Sequence, residues 1–130
     1  MKYIVFESKI CELVRQVCCR ECNSILVIDD EPELGFCKGS MLSIKLNCLN
    51  GHPWSCQSQP LLGSGTEAVP AGNLIISSAI FFSGDNFSKP DHFANFINLK
   101  FNSRSCMTKH QKDFLFPAVH EACTTSSIHC

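Results

Sequence analysis

Two short pieces constrain the first half of this chain more than any other feature: VCCREC at residues 17–22 and CLNGH at residues 48–52. Cys19 and Cys22 form a C-x2-C pair, and Cys48 and His52 form a C-x3-H pair. Three thiolates and an imidazole match the borderline softness of zinc, and a two-residue spacer lets both sulfurs of a tight turn face one ion. The spacing predicts one structural zinc per chain held by Cys19, Cys22, Cys48 and His52, in the geometry of a zinc ribbon. Each pair would occupy a turn at one end of a hairpin, with Gly51 supplying backbone freedom for the second turn. Cys18 competes with Cys19 through a C-x3-C register, Asn23 stands where such turns often carry glycine, and Cys37 and Cys56 are spare donors. The two-residue spacer selects Cys19. The competing reading is a set of buried free thiols with His52 on the surface. If all four donors hold the metal, no position is left for a catalytic water.

The ten cysteines in 130 residues also raise a disulfide reading, because an even count is what a stapled secreted domain shows. Residues 3–6 are apolar, but Glu7, Ser8 and Lys9 interrupt them, so no signal peptide is expected. Clustered cysteines in a reducing compartment are more often metal ligands than bridges. No run approaches the ~20 apolar residues of a membrane span. The net charge of -1 gives no global attraction to nucleic acid, so any such binding needs a local basic face.

Residues 1–16 read as an N-terminal extension and 17–60 as the ribbon module. Within the latter, residues 41–48 (MLSIKLNC) alternate with Leu42, Ile44, Leu46 and Cys48 on one parity, as a half-buried strand requires. Residues 24–28 (SILVI) are its expected partner, and the acidic stretch around Pro32 is an exposed turn. Residues 61–69 form a linker by composition, and Gly63-Ser64-Gly65-Thr66 lacks the lysine of a phosphate-binding loop.

Residues 70–117 read as a helical unit. Pro70 near the start and Gly84 near the end bracket a helix-length apolar run, PAGNLIISSAIFFSG. Ser88 offers a cap for a second helix, with Phe93, Phe96 and Ile97 as its apolar face. Ser103 or Ser105 would cap a third, running through Met107, Gln111, Phe114 and Leu115 until Pro117 ends it, with 118–130 as a tail. Arg104, Lys109 and Lys112 on this last helix are the candidate phosphate contacts of a helix-turn-helix, against the plainer reading of a solvated cationic face. The fold class expected is α+β, a small zinc-ribbon-like β module followed by a three-helix, helix-turn-helix-like unit.

In order, the C-x2-C pair at Cys19, CLNGH at Cys48, Ser58-Gln59-Pro60, PAGNLIISSAIFFSG and HQKDFLFP at residues 110–117 resemble the amino-terminal part of transposon-derived animal proteins that look like cut-and-paste, DDE-type transposases. The resemblance covers roughly residues 17–120. It implies a non-catalytic, zinc-binding, DNA-binding or accessory segment that lies ahead of a ribonuclease H-like catalytic region absent from these 130 residues. It further implies a nuclear location, DNA or a full-length transposase-like protein as partner, and no small-molecule substrate or membrane. The alternative is a protein-interaction or structural fragment, with Phe81, Phe82, Phe93, Phe96 and Phe101 turned toward a partner.

Overall fold

A computed structural model describes residues 2–28 and 35–126, without the side chains of Phe36 and Ser126. The expected acidic turn around Pro32 lies outside the described residues. The chain is mixed α+β and divides into two compact units, residues 1–36 with 42–58, and residues 37–41 with 59–130.

The first unit opens with a helix, α1 (Glu7–Arg15), where an extension was expected. Cys11 and Val14, three residues apart, put two buried side chains on one face, while Lys9 and Glu12 pair at 2.9 Å on the exposed one. Glu7 in the first turn and Arg15 in the last complement the helix dipole. The sheet comprises β1 (Leu26–Val27), β2 (Phe36–Lys38), β3 (Met41–Cys48) and β4 (Pro53–Gln57), with β3 paired to all three others. Antiparallel β1 sets Leu26 opposite Cys48, and antiparallel β4 sets Trp54 opposite Leu46. The expected alternation holds along the second half of β3, where Ile44 and Cys48 are buried while Lys45 and Asn47 are exposed. Cys11, Val14, Cys19, Leu26, Ile44 and Cys48 make the core of this unit, with Trp54 and Leu46 packed against it. Each fully buried aliphatic contributes about 1.5–3 kcal/mol. Half of this core is cysteine, so apolar burial alone stabilises it weakly.

The second unit contains the supposed linker, which is in fact structured. β5 (Leu61–Leu62) pairs antiparallel with β6 (Val69–Pro70), and a 3-10 turn, Gly65–Glu67, lies between them. α2 (Ala71–Phe82) follows from Pro70 as expected and stops before Gly84, whose φ of 72° no β-carbon favours. α3 (Ser88–Phe96) begins at Ser88, but the side-chain acceptor there is Asn86, whose Oδ1 receives the Ser88 N–H; Ser88 is not a cap. Its expected apolar face also points elsewhere: Ala94 is the buried residue, while Phe93 and Phe96 are 62% and 92% exposed.

α4 (Arg104–His110) is capped by Ser103, whose Oγ accepts the Cys106 N–H at 3.2 Å. The helix does not end at Pro117. Its ladder widens into a π segment over Gln111–Leu115, the Phe116 N–H reaching back to the Gln111 carbonyl, and continues as α5 (Phe116–Ser126). The wider turn accommodates the proline ring, and Pro117 sits in the first turn of α5, where a missing N–H is tolerated. The supposed tail is therefore helical as far as it is described.

A buried polar network holds the second unit together. Gln59 Oε1 accepts the Gly72 N–H at the start of α2, and its Nε2 donates to the Ser40 carbonyl at 2.8 Å. Asn73, 1% exposed, accepts from the N–H and hydroxyl of Ser40 and donates to the Lys38 carbonyl. Asn102 Nδ2 donates to the Asn73 carbonyl at 2.8 Å, and the Ser77 hydroxyl donates to that carbonyl too. With its proton committed there, Ser77 Oγ accepts from His110 Nδ1 at 2.9 Å, which leaves Nε2 to face the Cys106 thiol. Gly39, at φ 61°, lies against both asparagines, and a β-carbon on it would come within 2.5 Å of Asn102 Oδ1. That oxygen is the one buried side-chain polar atom without a partner among the described residues.

Burial pushes the His110 imidazole below its ordinary 6.5, against the opposing pulls of the Asn73 carbonyl and Asp113, and Lys109 and Lys38 add to the downward shift. Burial pushes the Cys106 thiol up, so the pair is neutral at pH 7. The folded state therefore binds fewer protons than the unfolded chain below pH 6.5, and this contribution is full above that value and is lost as the pH falls. Denaturant unfolding from about pH 7.5 to about pH 5 should show the second unit weakening, and His110→Gln should remove that part of the pH dependence.

Candidate metal centre and basic helix face

The first cysteine turn of the first unit, the first knuckle, is closed by backbone bonds. The Cys19 N–H donates to the Ser24 carbonyl at 2.8 Å, and the Asn23 N–H donates to the Cys19 carbonyl at 2.9 Å. Asn23 takes the left-handed conformation, φ 56°, in the place where glycine would be easiest; asparagine is among the few other residues that visit it readily. In the second knuckle, between β3 and β4, the Gly51 N–H returns to the Cys48 carbonyl at 2.8 Å and Gly51 has φ 81°. The expectation for Gly51 is met.

These two turns bring Cys19, Cys22, Cys48 and His52 together, with one donor atom of each inside a sphere of mutual distances no larger than 4.8 Å, so the set could hold a metal ion. Cys22 Sγ and Cys48 Sγ are 3.6 Å apart, and His52 Nδ1 lies 3.9 Å from Cys19 Sγ and 3.6 Å from Cys48 Sγ. Cys19 and Cys48 are buried, whereas Cys22 and His52 are half-buried. The competitors stand apart: Cys18, Cys37 and Cys56 are exposed, and none joins the cluster. The Cys18 backbone instead bridges Ile25.

The surroundings favour ionised sulfur at Cys22 and Cys48, whereas at Cys19 the backbone N–H groups of Cys22 and Glu21 are outweighed by burial and by the neighbouring Cys22 and Cys48 sulfurs, and the thiol is raised. The Ser24 hydroxyl, 2.6 Å from Cys22 Sγ, and the Ser24 N–H hold the Cys22 thiol down to about 5. At Cys48 burial opposes ionisation, yet the backbone N–H groups of His52 and Asn50 outweigh it and the thiol is lowered. Cys22 raises His52 against the opposing effect of burial, assisted by Cys48 and by Glu21, whose Oε2 is 3.7 Å from Nε2. Nδ1 thus faces the sulfurs while Nε2 faces a carboxylate. Glu21, Ser24 and Asn50 were not singled out from sequence, where nothing marks a polar neighbour of a ligand as its partner.

Arg104, Lys109 and Lys112 are all exposed on the helix from α4 into the π segment, where they line one shallow depression with Ser105, Thr108 and Asp113. Arg104 is anchored, its Nη2 donating to Ser88 Oγ at 3.1 Å and its guanidinium 5.6 Å from the Phe87 ring centre. Lys109 reaches Glu67 at 3.4 Å, an exposed and therefore weak pair. Residues 97–103 connect α3 to α4, a longer link than the three or four residues of a helix-turn-helix. Among the described residues no helix is long and apolar enough to cross a membrane. Compared with protein-family models, with curated proteins and with solved structures, the chain matches none.

Proposed function

We propose that this chain is a non-catalytic, zinc-stapled module that binds DNA or accompanies a DNA-binding partner. The observation that carries the reading is the four-donor cluster of Cys19, Cys22, Cys48 and His52. A tetrahedral zinc with bonds of about 2.3 Å to sulfur and about 2.0 Å to nitrogen has edges of about 3.8 Å between sulfurs and about 3.5 Å between sulfur and nitrogen. The separations of 3.6, 3.6 and 3.9 Å correspond to those edges. Borderline-soft donors also favour zinc over magnesium or calcium, which take oxygen. Four protein ligands close the coordination sphere, so the ion would hold the two knuckles of a zinc ribbon together and perform no reaction.

The second half of the reading rests on Arg104, Lys109 and Lys112 along one helix face, with the Ser105 and Thr108 hydroxyls among them. Cations and hydroxyls so arranged suit successive phosphates of a duplex, with α3 and α4 acting as a helix-turn-helix-like pair on a lengthened turn. The resemblance to transposase-derived proteins agrees with DNA, or a full-length transposase-like protein, as the partner and with a nuclear location. Duplex binding measured across a salt series tests this half. The Arg104→Ala/Lys109→Ala/Lys112→Ala protein should show a log K against log salt slope shallower by about 2–3. An unchanged slope discards the assignment.

One observation favours the protein-interaction reading as well: Phe93 and Phe96 project from α3 at 62% and 92% exposure, an unusual cost for a helix with no partner. Phe81 and Phe101 do not share that face, since they pack against Phe116 and Phe87.

A further inference from the structure

We propose that Ser24 and Asn50 are positioning residues of the metal centre, forming a relay in which the Asn50 amide orients the Ser24 hydroxyl toward the sulfur of Cys22. The inference rests on the metal reading above and adds to it two residues that donate no ligand atom. Asn50 Nδ2 lies 3.1 Å from Ser24 Oγ, and Ser24 Oγ lies 2.6 Å from Cys22 Sγ. An amide N–H can only donate, so the serine oxygen accepts from Asn50, and its single proton is left for the sulfur. The main chain of donors therefore runs from Asn50 through Ser24 to Cys22, with a weaker direct contribution of the Asn50 amide to the same sulfur.

The location of the two residues gives the relay its purpose. Ser24 follows the first knuckle and Asn50 lies inside the second, between Cys48 and His52, so the hydrogen bond ties the two metal-binding turns to each other. Cys22 is also the more exposed of the three thiols in the cluster; Cys19 and Cys48 are 4% and 3% exposed and fixed by packing. A hydroxyl donor adds a restraint to the one sulfur that is packed against the core without being fully buried in it. It also withdraws charge from that thiolate, which lowers its reactivity while it is bound.

Cobalt(II) titration of the full chain, followed by zinc competition, separates the possibilities. The native protein should bind one cobalt with the visible bands of a tetrahedral site and the near-ultraviolet band of thiolate-to-metal charge transfer. Ser24→Ala should weaken metal binding about 10–100-fold and move the charge-transfer band to lower energy, and Ser24→Thr should restore both. Asn50→Ala should weaken binding less, and most of that loss should disappear in the Ser24→Ala background, as a relay requires. A Ser24→Ala protein with native affinity and an unmoved band overturns the positioning role and leaves the metal centre standing. Additive losses for the two substitutions likewise overturn the relay. A native chain that binds no cobalt overturns the metal reading itself.

Discussion

Replacing Cys48 by serine is expected to unfold the first unit while leaving the second unit folded. Cys48 closes β3, pairs with Leu26 across the sheet, is 3% exposed and supplies one of the four donors. A hydroxyl in its place is a poor zinc ligand and leaves an unsatisfied polar group in a core with few large apolar side chains. Zinc binding contributes about 10–16 kcal/mol to the folding of small zinc modules. Losing most of it should cost at least about 5 kcal/mol, comparable to the 5–15 kcal/mol that typically separates folded from unfolded chains. Amide chemical shifts of residues 42–58 should collapse to random-coil positions while those of α2 persist. Cys18→Ser, one residue from a ligand but exposed and outside the cluster, should change stability by no more than about 0.5 kcal/mol.

The second large effect is expected at Asn73. Asn73→Leu keeps the branched shape and the number of heavy atoms but removes the acceptor for the Ser40 N–H and hydroxyl and the donor to the Lys38 carbonyl, all from a side chain that is 1% exposed. Each group left without a partner costs about 1–3 kcal/mol when buried. Because Lys38 and Ser40 are not fully buried, a total of about 2–4 kcal/mol follows. Denaturant unfolding followed by probes in α2 and α4 measures it, and the cysteine turns of the first unit should be unaffected. A loss below about 0.5 kcal/mol, the range of ordinary surface substitutions, would mean that the network is ornamental to stability.

The metal cluster and the network differ in how readily they can be read from sequence. Cys19 with Cys22 and Cys48 with His52 are close in sequence within each pair, and such spacings fix local turn geometry, so a short motif carries most of the information. β3 and α2 were legible for the same reason: alternation over 41–48 and the Pro70 to Gly84 bracket are local patterns. The network draws on Ser40, Gln59, Asn73, Ser77, Asn102 and His110, which belong to different stretches of the chain, and no period links a serine at a hairpin tip to a histidine on a distant helix. Gln59, Asn73 and His110 all lie within short motifs that stand out in the sequence, yet only folding reveals them as one hydrogen-bonded set.

Three misreadings have definite physical causes. The i, i+3, i+4 spacing of Phe93, Phe96 and Ile97 defines a face without saying which way it turns, and the small Ala94 takes the buried side of α3. Pro117 normally ends a helix because its ring clashes with the preceding turn, and the π segment over Gln111–Leu115 relieves that clash. The stretch 61–69 was assigned as linker from its Gly, Ser and Thr content, which is equally the composition of the tight turn that joins β5 to β6.

Metal content tests the central claim most directly. Native mass spectrometry and elemental analysis of the full chain, purified without added metal, should find one zinc per chain. Chelation of that zinc should abolish the dispersed resonances of residues 42–58. A chain that carries no metal and keeps the same resonances in excess chelator would contradict the account.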